Sequence, residues 1–130
     1  NTIARHHSRI VRVRVASNLS PWLRRTRVGD IYSVPISHGE GRFLASEELV
    51  RSLAARGQIA TQYVDLEGRA SGDVHFNPNG SVFAVEGICS PDGRVFGKMG
   101  HAERIGSGLY KNVPGSYHME MFRSAVEYFK

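Results

Sequence analysis

His101 and Glu103 are of the types, and at the spacing, that could act together in catalysis, because a histidine is followed two positions later by a carboxylate. An imidazole can take a proton from a nucleophile, while a carboxylate that accepts the other ring N–H fixes the tautomer and stabilises the imidazolium. Gly100 allows a sharp exit from a preceding strand, and open α/β sheets bind ligands at such strand ends. The spacing therefore predicts the base and orienting group of a triad, although it is more common in surface or structural pairs.

A nucleophile to match this pair is not evident. Cys89 is the one cysteine, and its apolar strand context predicts a core thiol, whereas catalytic thiolates occupy exposed, electropositive surroundings. The sequence contains neither a Gly-x-Cys-x-Gly nor a Gly-x-Ser-x-Gly elbow. The six histidines lack zinc-ligand spacing, and Gly39 and Gly41 lack the third glycine and the lysine of phosphate-binding loops. We therefore predict no metal and no cofactor in this chain.

The elements that must position these residues can be predicted from periodicity and end signals. Valines alternate between residues 11 and 15, as on one face of a strand. Ser46 is a suitable N-cap and Gly57 a suitable stop for a short helix, and Ser90–Gly93 suits a hairpin turn. Predicted strands span residues 10–15, 30–36, 59–64, 82–88 and 94–99, and predicted helices span residues 46–56 and 116–129. This order predicts an α/β sheet with flanking helices and one hairpin, and residues 1–130 fit one domain or one piece of a larger domain.

The composition is that of an ordinary globular protein. Its 130 residues are 41% hydrophobic and 22% charged, which argues against disorder. No apolar stretch approaches the ~20 residues of a membrane helix, and no signal peptide is visible. A single cysteine fits a reducing compartment, so we predict a cytoplasmic location and no membrane partner.

The net charge of +5 is concentrated at the N-terminus, where residues 1–29 contain seven arginines and no acidic residue. A basic segment can bind nucleic acid or another polyanion, so a stand-alone basic binding module is an alternative. No aromatic stacking pattern or groove-reading motif accompanies the arginines, however. We favour a solvated face or a surface that meets an acidic partner domain, and predict no nucleic-acid partner.

A longer pattern is more specific than any of these features alone. V-P-I-S-H-G-E-G-R-F at residues 34–43 is followed by Q-Y-V-D at 62–65, N-P-N-G-S at 77–81, G-I-C-S-P-D-G-R-V-F-G at 87–97 and M-G-H-A-E-R at 99–104. Together and in this order, from about residue 9 to residue 104, these motifs resemble the glutaminase part of phosphoribosylformylglycinamidine synthases. The Ser20–Leu23 segment is more similar to the large fused form of that enzyme than to the separate small subunit.

The resemblance implies that residues 1–130 are the C-terminal part of a single class I glutamine amidotransferase domain. Its fold would be of the flavodoxin-like kind, with the first strands and the nucleophile elbow outside this sequence. The resemblance also implies a Cys–His–Glu triad in which His101 is the general base and acid and Glu103 orients it. The cysteine would lie a few dozen residues before Asn1. The family often has proline at the positions of Gly100 and Ala102, which bears on the rigidity of the loop but not on the His-to-Glu spacing.

Further implications concern residues 38–43, which we name the signature loop, and the partners. His38, Glu40 and Arg42 would support the site or contact a synthetase domain. In the family, glutamine is cleaved through a thioester, and the ammonia passes to the synthetase domain, where ATP and Mg²⁺ are used to convert formylglycinamide ribonucleotide to its amidine in purine synthesis. We therefore expect glutamine and a synthetase domain as partners, and no glutaminase activity from this chain alone. A sheet without its first strands exposes edges and apolar faces, so we also predict self-association.

Overall fold

The structure, a computed structural model, describes residues 1–130 and contains five β-strands and two α-helices. Along the chain these elements are β1 (His7–Val15), β2 (Ile31–His38), α1 (Glu47–Ala55), β3 (Ile59–Tyr63), β4 (Val85–Cys89), β5 (Phe96–Lys98) and α2 (Met121–Phe129). Short 3₁₀ helices at Pro21–Leu23 and Val82–Ala84 precede β2 and β4. The predicted α/β class is confirmed. None of the helices is both long and apolar enough to cross a membrane.

The strands form one curled sheet in the order β2-β1-β3-β4-β5, and every neighbouring pair is antiparallel. Although β5 lies at the opposite end from β2, the chain after β5 returns to β2, where the His101 N–H donates to the Pro35 carbonyl at 2.8 Å. The Ser33 N–H donates to the Ser116 carbonyl at 2.7 Å, so the C-terminal segment covers the same edge. The Pro35 carbonyl faces away from β1, and in a strand the nitrogen of a residue points to the same side as its carbonyl. The N–H that proline lacks would therefore not have bonded to β1, so proline is tolerated at this position.

The core lies where the valines of β1 meet the apolar residues of β2. Val11 lies opposite Val34 and Val13 opposite Tyr32, and all four are buried. Burying each aliphatic side chain of this size contributes about 1.5–3 kcal/mol of hydrophobic stabilisation. The same cluster also includes Val15, Leu23, Ile36, Ala60, Tyr63, Met119 and Met121.

The start of α1 follows the predicted signals. The Ser46 hydroxyl accepts the Leu49 N–H at 3.2 Å, which satisfies a helical N–H that has no partner within the helix. Glu47 and Glu48 occupy the first turn, where the positive end of the helix favours acidic residues. The helix ends before Gly57, whose φ of +71° is the left-handed conformation that favours glycine.

Two of the largest differences from the sequence pattern are the later starts of α2 and β4. The α2 helix begins at Met121 and not at residue 116, because the Ser116 carbonyl covers the edge of β2 and Glu120 has a left-handed φ of 52°. The strand predicted from residue 82 begins at Val85, because Phe83 and Ala84 also have positive φ angles. In both places a tertiary contact or a turn replaces regular structure that the local pattern would allow.

Candidate active site

His101 and Glu103 lie side by side on the loop that follows β5. Nδ1 of His101 is 2.7 Å from Oε1 of Glu103, a distance at which the ring N–H donates to the carboxylate. Nε2 then has no hydrogen-bond partner within the chain, and 31% of the His101 side chain is exposed. An imidazole in this tautomer presents an unprotonated Nε2, which is the form that a general base requires.

The surroundings of Glu103 favour its ionised form. Partial burial acts to raise the pKa of the carboxyl group, but hydrogen bonds from its own backbone N–H and from His101 outweigh burial and lower the pKa below its ordinary value. An ionised Glu103 can stabilise a positive charge on the His101 ring. The structure therefore brings the two predicted site residues together, whereas their catalytic roles stay a prediction.

His38, at the end of β2, is held by Asn79, which the sequence pattern indicated only as part of the N-P-N-G-S motif. Nδ2 of Asn79 lies 2.9 Å from Nδ1 of His38 and 3.2 Å from the Gly41 carbonyl, and Oδ1 of Asn79 lies 3.2 Å from Nδ1 of His7. Asn79 is only 1% exposed. An almost fully buried amide thus links two histidines on neighbouring strands, and a buried asparagine is the kind of signal that a sequence pattern does not reveal.

Burial lowers the pKa of His38, and the nearby His101 lowers it further by charge repulsion, although a backbone hydrogen bond acts in the opposite direction. His6 and His7 add smaller effects of the same sign as that of His101. His38 is therefore neutral at physiological pH. The signature loop and the His101 loop lie close enough for their charges to interact.

The other two signature residues are more exposed. The Arg42 guanidinium donates from Nε to the Gly80 carbonyl at 3.1 Å, whereas Glu40 is exposed and makes no hydrogen bond within the chain. The next residue of the loop, Phe43, donates its N–H to the Ser81 hydroxyl at 3.0 Å. The signature loop is thus attached to the turn at residues 77–81, which places two of the sequence motifs next to each other.

Cys89 belongs to the core, as its context predicted. It is 6% exposed, lies at the end of β4, and its only hydrogen-bond acceptor is the Gly57 carbonyl, 3.9 Å from Sγ. Burial raises the pKa of the thiol, and the charge of Asp92 adds to this effect. A protonated, buried thiol without a histidine partner is a poor nucleophile. No group of three or more His, Cys, Asp or Glu side chains is arranged to bind a metal ion.

Several of the N-terminal arginines make contacts within the chain. Arg12 donates to the carbonyl groups of Asp65 and Leu66, and Arg25 forms salt bridges with Glu120 and Glu127 at 2.9 and 3.0 Å. Further contacts of this kind are made by Arg9 and Arg14. These contacts give the basic segment a role within the fold, and no observation favours the polyanion-binding alternative.

A curled α/β sheet that presents a histidine–carboxylate pair on the loop after its last strand is typical of part of a glutamine amidotransferase. Residues 1–129 match the family of CobB/CobQ-like glutamine amidotransferase domains, and the chain belongs to this family. The resemblance that the motifs indicated is therefore confirmed.

Individual relatives and one solved structure are also similar to this chain. The chain is 40% identical over 92 residues to phosphoribosylformylglycinamidine synthase subunit PurQ of Thermomicrobium roseum, covering 71% of this chain and 38% of that subunit. It is 39% identical over 105 residues to the same subunit of Aquifex aeolicus, covering 81% and 45%. Among solved structures, PurLQS from Thermotoga maritima matches with a TM-score of 0.70 at 25% identity, covering 100% of this chain and 51% of that one. The chain spans about half the length of the curated relatives it matches.

Proposed function

We propose that this chain carries the histidine and glutamate of a Cys–His–Glu triad in the glutaminase domain of a phosphoribosylformylglycinamidine synthase. The nucleophilic cysteine would come from a part of the protein outside this sequence. The observation that carries the proposal is the 2.7 Å contact between Nδ1 of His101 and Oε1 of Glu103, which leaves Nε2 of a partly exposed ring without a partner. The names of the relatives support the same reaction.

Each side chain has one task in the proposed reaction. Nε2 of His101 takes the thiol proton, and the thiolate attacks the carbon of the glutamine side-chain amide to form a tetrahedral intermediate. His101 then returns the proton to the leaving nitrogen, so that ammonia departs and a thioester remains. Water, deprotonated by His101, hydrolyses the thioester to glutamate and regenerates the thiol. Glu103 keeps the ring oriented and stabilises the imidazolium in both halves of the reaction.

The proposal extends to what receives the ammonia. A synthetase domain would use it, with ATP and Mg²⁺ bound in that domain, to convert formylglycinamide ribonucleotide to the amidine. The PurLQS likeness supports such an assembly. A fused arrangement, which the Ser20–Leu23 segment predicts, and a cytoplasmic location remain parts of the proposal. His38, Glu40 and Arg42 would support the site or the contact with the synthetase domain.

The proposal can be tested with two activities of the complete synthase that would contain this chain, which we call the parent enzyme. His101→Gln and Glu103→Gln should each reduce glutamine-dependent amidine formation, the first by about 10²–10⁴-fold, the range of general acid–base catalysis. Synthesis from added ammonium should be unaffected, since it bypasses the triad. The chain supplies a matched control: Nδ1 of His75 lies 2.8 Å from Oδ1 of Asp73, an exposed pair with the same two-residue separation. His75→Gln should leave both activities intact. Full glutamine-dependent activity in His101→Gln would refute the proposal.

A further inference from the structure

A fully buried carboxylate, that of Glu86 in β4, lies beneath the loop that carries His101. Its Oε1 accepts the Gly100 N–H at 2.7 Å and lies 3.2 Å from Nζ of Lys98, while its Oε2 accepts the Thr61 hydroxyl. The Glu86 side chain is 0% exposed and that of Lys98 is 8% exposed. A buried charge is tolerated only when it is paired and its oxygens are hydrogen-bonded, and both conditions are met here.

Glu86 and Lys98 together bind both polar groups of the residue that precedes His101. The Gly100 N–H donates to Glu86, and the Gly100 carbonyl accepts from Nζ of Lys98 at 3.3 Å. A side chain at Gly100 would collide with Val34, so the backbone itself packs against β2. The next N–H, that of His101, donates to the Pro35 carbonyl. Three consecutive backbone polar groups are therefore fixed just before the imidazole.

We propose that the Glu86–Lys98 ion pair is a positioning device that sets the direction in which His101 leaves β5; its catalytic consequence rests on the proposed function. A buried ion pair is often no more stabilising than apolar residues of similar volume, so stability alone does not account for it. The ion pair fixes the orientation of the Gly100 backbone, since a carboxylate only accepts hydrogen bonds and an ammonium only donates them. Ala102, between His101 and Glu103, packs in the core cluster, whereas the backbone polar groups of Gly100 are bound by the ion pair.

The test removes the ion pair while preserving the fold. Glu86→Leu/Lys98→Met replaces both charges by apolar side chains of similar size. In NMR spectra of this chain, we expect the amides of Val13 and Val85 to keep their protection from hydrogen exchange. The His101 amide should exchange about tenfold faster or more, the scale of a local opening, and its ring nitrogens should show loss of the single tautomer.

Thr61→Val is the matched control, because it removes a partner of Glu86 without touching Gly100. It should leave the His101 amide and ring signals unchanged. If the double variant does not fold, Glu86→Gln/Lys98→Met keeps an acceptor for Gly100 but removes the donor to its carbonyl, and the same readouts apply. Unchanged His101 signals in a folded double variant, or equal changes in Thr61→Val, would overturn the inference.

Kinetics of the parent enzyme separate this inference from the proposed function. With a displaced imidazole, kcat for glutamine hydrolysis should fall by about a hundredfold, the effect of a misplacement near 1 Å, with little change in KM. A double variant with displaced His101 signals but normal kcat would contradict a positioning role. If His101→Gln itself leaves glutaminase activity intact, the proposed function fails, while the NMR comparison still decides whether the ion pair positions the loop.

Discussion

Asn79 and His38 determine each other's orientation. Nδ2 of Asn79 is shared between Nδ1 of His38 and the Gly41 carbonyl, and a carbonyl can only accept, so the nitrogen side of the amide must face both groups. The same nitrogen also lies 3.3 Å from Nε2 of His38, so the amide faces the side of the ring that carries both nitrogens. One buried amide thus holds the His38 ring against the Gly41 carbonyl, while burial keeps that ring neutral near His101.

The neutral state of His38 predicts a pH dependence of stability. Burial is the main cause that lowers its pKa below the ordinary value of 6.5. The unfolded chain therefore binds a proton more readily than the folded one, so this contribution to stability is complete above pH 6.5 and is lost as pH falls through the lowered pKa. Urea unfolding between pH 7 and 5 should show the loss, and His38→Gln should reduce it.

The same substitution at His118, which is exposed and has no hydrogen-bond partner, serves as the control. His118→Gln should leave the slope of stability against pH unchanged. Equal slopes for wild type and His38→Gln would contradict the account of His38.

Gly41 and Gly39 provide a paired test of the signature loop. Gly41 has a φ of +55° and faces the His38 ring so closely that a Cβ there would collide with it, whereas Gly39 has open space around it. Gly41→Ala should cost about 1–2 kcal/mol for the left-handed backbone alone, plus the displacement of the ring. Gly39→Ala should cost clearly less. Thermal unfolding measures both, and equal losses would show that the ring does not pack on Gly41 as described.

The chain alone should not hydrolyse glutamine. Cys89 is buried, its pKa is raised, and no hydrogen bond connects it with His101. An enzyme-coupled assay for glutamate should detect no release above background from the purified chain. Release that survives Cys89→Ser would contradict the proposed division of the triad, and release that this substitution abolishes would contradict the core assignment of Cys89.

Self-association, predicted from the sequence, has a candidate surface in a groove between α1 and the sheet. Its volume is about 540 Å³, and its lining includes Val50, Ala54 and Phe83. Phe83 is 53% exposed. We expect sedimentation equilibrium to show dimers or larger species, and Phe83→Asp to shift them toward monomer, since aspartate also tolerates the positive φ at this position. Leu66→Asp, at an exposed leucine outside the groove, is the control. A monomeric wild-type chain would contradict the prediction.

Much of the fold could be predicted because local signals and tertiary structure agree. Three elements are specified locally: β1 by its alternating valines, α1 by the Ser46 cap, and the hairpin by the Ser90–Gly93 turn. In that turn the Gly93 N–H donates to the Ser90 carbonyl at 2.8 Å, as expected. The start of α2 could not be predicted in this way. It depends on Ser116 covering the edge of a distant strand, which is a contact that no helical periodicity encodes.

The residues of the candidate site likewise differ in whether their contacts are local in sequence. His101 and Glu103 are two residues apart, so their side chains can meet without a long-range contact, and the family resemblance indicated their role. Asn79 and Glu86 act through partners 41 and 14 residues away, which only the fold brings near. The one local signal for Glu86 is a carboxylate within an apolar strand, where a charge requires a buried partner.

The reactivity of the thiol in the parent enzyme tests the central claim, that His101 faces a cysteine supplied by chain outside this sequence. A free thiol has a pKa of about 8.5 and reacts slowly with iodoacetamide at mildly acidic pH, whereas a thiol beside an imidazolium is largely ionised there. We predict rapid alkylation in the wild type and in His75→Gln, and alkylation at least about tenfold slower in His101→Gln, because the thiolate population falls. Equal alkylation rates in the wild type and His101→Gln would contradict the claim.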